Sequence, residues 1–122
     1  MIKKSGYIEK IIDGELISFK FGMGAFAKFC EMQNITLDKM GEILQPSSPS
    51  QLMATINLFY SAAFIGMKSQ GKDVTFTPEA VSEWIDEMDQ NDFNDIMETM
   101  TKARIMGKGI DEVEKKRQTK KK

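Results

Sequence analysis

Residues 17–32, ISFKFGMGAFAKFCEM, decide the fold. Read one way, the apolar alternation through Phe21 is a strand, and Gly22 to Ala27 fits the G-x-G-x-x-[GA] pattern that opens a dinucleotide-binding helix. Read the other way, the strand is the second arm of a hairpin and the glycines lead the chain into a helix. The flanking residues separate the two readings.

Upstream, residues 7–21, YIEKIIDGELISFKF, contain Asp13-Gly14, the kind of dipeptide that best supplies the positive φ angles of a two-residue hairpin turn. With that turn, Ile12 faces Glu15, Lys10 faces Ile17 and Ile8 faces Phe19. Ile8, Ile12, Ile17, Phe19 and Phe21 then share one side of the ribbon, which something else must cover. Downstream, a dinucleotide fold needs a parallel strand whose end, about 20 residues on, carries an acid for the ribose. The chain offers KMGEILQPSSP there, a short helix and a proline loop. The stretch is therefore expected to join a hairpin to a helix, with Gly22 and Gly24 turning the chain and letting that helix pack closely on the hairpin.

The remainder reads as helices. Phe26, Phe29 and Cys30 give the first a single face from about Met23 to Met32, stopped by Asn34. Thr36 is placed to cap a second, LDKMGEIL, which ends before QPSSPS, where Pro46 and Pro49 deny continuation. Ser50 is placed to cap a third, about Gln51 to Ser69, apolar around most of its circumference and so central or interfacial, with Gly71 ending it. Thr77-Pro78-Glu79 supplies an N-cap, a proline at the first helical position and an acidic first turn for a fourth, Pro78 to Met88. A fifth opens at Asn91 or Asp92, carries Phe93, Ile96, Met97, Met100 and Ala103 or Arg104 at helical spacing, and stops at Gly107. The expected fold is mainly α, about five helices packed on a short N-terminal β-hairpin. Residues 1–107 form one helical domain and 108–122 a basic, disordered tail.

Composition narrows the chemistry. A chain of 122 residues has room for one domain, not for a doubly wound sheet and a substrate domain. It has no histidine, which removes the commonest general base, the Ser-His and Cys-His pairs and every imidazole metal site. Its one cysteine, Cys30, sits between Phe29 and Glu31 and reads as a small core residue in a reducing compartment. Neither a leader-like apolar run nor a stretch of about 20 apolar residues is seen, so a soluble, unexported protein is expected. The net charge of −1 conceals a division: residues 1–101 carry 8 basic and 15 acidic side chains, residues 102–122 carry 9 and 3.

No candidate catalytic group has a partner. Ser47, Ser48 and Ser61 lack a base, and Lys68, Lys72 and Lys108 lie beside glycines or helix ends. The acidic series Asp86, Asp89, Asp92, Asp95 and Glu98 lacks the calcium-loop order and its glycine, and reads as carboxylates facing solvent. No enzyme, cofactor or metal is expected. What remains is a surplus of large apolar side chains and 10 methionines, whose flexible thioethers fill cores or line surfaces that accept varied apolar partners.

In the order of its parts the chain resembles the tail assembly chaperones of long-tailed bacteriophages and prophages. The parts are FKFGMGAFAKFCEM, a short helix, the apolar LFYSAAFIGMKSQGK and TFTPEAVSEWIDEM, together about residues 16–90. The resemblance implies a small, largely helical protein in the host cytoplasm, absent from the mature virion. There it coats the hydrophobic tape measure protein before the tail tube polymerises around it. It also admits a longer, frameshifted product whose further domain recruits tail tube subunits. Under it, Phe59, Tyr60, Phe64, Met67, Trp84, Ile85, Met88, Met97 and Met100 are the expected contact residues. The alternative is a small phage nucleic-acid accessory protein or regulator using the basic tail, which would show salt-dependent DNA binding lost on deleting residues 108–122.

Overall fold

A computed structural model describes residues 6–44, 51–105 and 108–109. Two strands, β1 (Tyr7–Ile12) and β2 (Glu15–Lys20), pair antiparallel with Ile12 opposite Glu15, Lys10 opposite Ile17 and Ile8 opposite Phe19. Asp13 and Gly14 both take positive φ, 53° and 76°, as the two-residue turn requires. The strand before the glycines is thus one arm of a hairpin. No parallel partner exists for a dinucleotide crossover among the described residues.

Among the described residues five α-helices follow: α1 (Met23–Gln33), α2 (Met40–Ile43), α3 (Gln51–Ser69), α4 (Pro78–Glu87) and α5 (Gln90–Thr101). The fold is mainly α on a hairpin. Asn34 ends α1 in the left-handed conformation, with φ 57°. Thr77 caps α4, its hydroxyl oxygen accepting from Ala80 N–H at 3.3 Å, with Pro78 at the first helical position. Helix α3 is the centre of the molecule: it packs against β2, α1 and α4 and buries Ala54, Leu58, Phe59, Ala62, Ala63 and Met67. Ile17, Phe19 and Phe21 from the hairpin and Phe26 and Phe29 from α1 complete the middle of the core, all essentially inaccessible to solvent.

Several local expectations are corrected. Gly22 is extended, with φ 172°, and a Cβ there would meet nothing within 4 Å; at Gly24 it would meet only the Ile65 side chain at ordinary contact distance. The close approach is made by Gly66 of α3, where a Cβ would collide with the Ser18 carbonyl of β2. Thr36 makes no cap with its hydroxyl, which bonds the Asp38 carboxylate, and the segment after it is a 3₁₀ turn, Leu37–Lys39, leading into α2. Helix α5 opens earlier than expected because Asp89 accepts from Asn91 N–H, and it ends at Thr101. Beyond it, two-residue strands β3 (Arg104–Ile105) and β4 (Lys108–Gly109) pair antiparallel, which the sequence had not announced. Ser50, Pro46, Pro49, Gly107 and most of the basic tail lie outside the described residues.

The outward side of the hairpin base is polar. Tyr7 Oη donates to Glu9 at 2.7 Å and accepts from Gln70 Nε2 at 2.8 Å, tying β1 to the end of α3; Ser18, buried, hydrogen-bonds with both Tyr7 and Glu9 at 3.2 Å. Nearer the turn, Lys10 Nζ reaches Asp95 at 2.8 Å and Asp92 at 3.1 Å, fastening β1 to α5. Those two acids therefore do not simply face solvent. They are the anchor of the hairpin.

Candidate functional site

The nine expected contact residues divide by depth. Phe59, Met67 and Met100 are core residues, 0%, 2% and 8% exposed, and offer no surface to a partner. Tyr60, Phe64, Trp84, Ile85, Met88 and Met97 are half-buried, and of these Tyr60, Trp84, Ile85, Met88 and Met97 pack against the core. The amphipathic reason is periodicity. Positions 60 and 64 lie one turn apart on α3, and positions 84 and 85 lie in the last turn of α4, with Met88 as its C-cap.

Four half-buried rings form one chain of contacts. Phe64 lies 6.0 Å from Tyr60, Tyr60 5.9 Å from Phe76 in edge-to-face geometry, and Phe76 4.9 Å from Trp84. Trp84 then meets buried Phe19 edge-on at 6.5 Å, which anchors the band in the core. At the other end Lys28 Nζ stands 4.0 Å from the centre of the Phe64 ring, with Lys68 at 5.8 Å. A cationic end is thus built into the band.

The Trp84 end opens into a cleft of about 780 Å³ between the hairpin turn and the α4–α5 corner. Its apolar lining is Ile11, Ile12, Trp84 and Met88. Around these stand Asp13, Glu83, Asp86, Glu87, Asp89 and Asp92, against one cation, Lys10. Lys10 is committed to Asp95 and Asp92, whose hydrogen bonds hold its pKa above the ordinary lysine value. Asp89 is occupied as the cap of α5. Among the described residues, Asp13, Glu83, Asp86 and Glu87 make no ion pair. The cleft is strongly negative with an apolar floor.

Chemistry is harder to find. Burial, and after it the charge of Asp38, pushes the Cys30 thiol above its usual pKa, away from a reactive thiolate. Ser61 donates to the Asn57 carbonyl at 2.8 Å within its own helix. Among the described residues, no group of three or more His, Cys, Asp or Glu side chains could hold a metal ion, and no helix is long and apolar enough to cross a membrane.

Sequence reasoning missed the most exposed apolar side chains: Ile11 at 73%, Leu52 at 76%, Met53 at 58%, and Leu16 and Met23 at just over 40%. Ile11 and Leu16 are cross-strand partners on the outward face of the hairpin. The period-2 alternation that put Ile12 and Ile17 inward already placed them outward. No protein family model, curated protein or solved structure matches the chain.

Proposed function

We infer that this protein is a non-catalytic binding module that shields apolar, helical segments of another protein, acting as a phage tail assembly chaperone on the tape measure protein. The observation that carries this reading is the band Phe64–Tyr60–Phe76–Trp84, four aromatic side chains held half-buried and in contact on the surface of a small domain. Aromatic side chains of this kind supply large apolar contact area at low entropic cost when a partner helix covers them. Met88, which lines the same cleft as Trp84, adapts its shape to varied partners. The acidic body keeps such a surface from associating with copies of itself. A holdase of this kind works by mass action, with no turnover, cofactor or nucleotide.

The test is co-expression with the tape measure protein of the same tail gene cluster, followed by pull-down and measurement of the client's soluble fraction. A soluble complex is the expected result, with capture reduced about tenfold or more by the double substitution Tyr60→Ala and Phe64→Ala. Thermal melting of the double variant separates lost binding from lost folding. No complex, with the client equally insoluble in its presence, refutes the reading.

A further inference from the structure

The chain carries its own candidate occupant for the acid-rimmed cleft. Residues 115–122, KKRQTKKK, hold six cations and no acid, whereas the cleft presents Asp13, Glu83, Asp86 and Glu87 without ion-pair partners among the described residues. The path of the backbone brings the two within reach. Ala103 is buried against the open end of the hairpin, where a Cβ at Gly6 would lie 3.0 Å from Ala103 Cβ. The β3–β4 pairing then returns Gly109 to the side of Arg104, the residue after Ala103. From there the cleft, at the hairpin turn, is about one six-residue strand away, roughly 20 Å at 3.3 Å per residue. Six extended residues beyond Gly109 cover about the same distance. Lys115 is therefore the first basic residue able to arrive, and those after it can cross the cleft.

We propose that residues 115–122 dock in this cleft in the same chain, their ammonium and guanidinium groups on Asp13, Glu83, Asp86 and Glu87 and their aliphatic stems on Trp84, Ile11 and Met88. Lysine and arginine suit such a floor, because they lay apolar stems along it while their charges reach the rim, and the face of Trp84 attracts cations. Since Trp84 belongs to both the cleft and the aromatic band, a docked tail covers one end of the band. Competition with a client rests on the binding function proposed above; docking itself does not.

Trp84 is the chain's one tryptophan, so its indole N–H resonance and its fluorescence report on the place where the cleft meets the aromatic band. The comparison is the full chain against a full-length variant with Lys115, Lys116, Arg117, Lys120, Lys121 and Lys122 all replaced by Gln, without any client. Equal melting temperatures would show that the fold is untouched. At low salt the two chains should differ in the Trp84 resonance, and about 0.5 M salt should move the native chain onto the variant by screening the contact. A synthetic peptide of residues 110–122 added to the variant should restore the native signal. Identical Trp84 signals in both chains at low salt overturn the proposal. A native signal that depends on protein concentration overturns docking within one chain in favour of a second copy. With docking established, the variant should bind the client about two- to tenfold more tightly at low salt. Equal client affinity overturns the competition while leaving both docking and client binding standing.

Discussion

A methyl group at Gly66 has no room, because β2 runs directly across α3 and the Ser18 carbonyl occupies the place of the missing side chain. Gly66→Ala must push helix and hairpin apart, and overpacking of this kind costs about 1–3 kcal/mol, measurable by urea unfolding. The same substitution at Gly22, extended and with open space around it, should leave stability within about 0.5 kcal/mol. Glycine roles of this kind were not legible in the sequence. The Gly22-x-Gly24 pair attracted attention by its spacing, but the obligatory glycine is defined by a strand distant along the chain. Lys10 is a second case. The hairpin register set it opposite Ile17, and only the tertiary structure supplies the two acids of α5. Because the pair is partly exposed, Lys10→Met should cost about 0.5 kcal/mol. The folded-state pKa of Lys10 is raised, so its contribution is complete below the ordinary lysine value of 10.5 and is lost as pH rises through the folded value. The stability gap between wild type and Lys10→Met should be constant from pH 6 to 9 and close only above about pH 10.5.

At the scale of elements, signals confined to a few neighbouring residues were readable. Asp13-Gly14 fixed both the turn and the register of the hairpin, and Thr77-Pro78 fixed the start of α4. Removing the cap by Thr77→Ala should lower stability by about 1 kcal/mol while leaving helix content in the native baseline unchanged, as circular dichroism during thermal unfolding would show. Thr36 carried the same residue type at an equally good position, yet its hydroxyl donates to the Asp38 carboxylate and accepts from no backbone amide of the turn that follows. Caps compete with local side chains, and sequence alone does not rank the competitors. The end of α5 was misread for a related reason: apolar spacing continues through Ala103, which is buried, although the helix has already ended at Thr101. Burial there comes from contact with the base of the hairpin, not from helical periodicity.

For the whole molecule, the sequence indicated which side chains are large and apolar but not how they divide between core and surface. Phe59 and Phe64 look alike on paper. Phe59 contacts Phe19 and Phe93 in the core, whereas Phe64 lies under Lys28 and Lys68 at the surface. That division depends on which faces of α3 are covered by α1, β2 and α4, a property of the packed molecule. The acid-rimmed cleft was equally hidden, since it joins a hairpin turn to a helix corner far along the chain. The proposed partner surface of the molecule is the aromatic band. Backbone hydrogen exchange of this chain, alone and with the tape measure protein bound, tests that most directly. The prediction is new protection along the second half of α3 and along α4, with α1 unchanged. Protection absent from both helices, or confined to the Leu52–Met53 end of α3 and the outer hairpin face of Ile11 and Leu16, would contradict it.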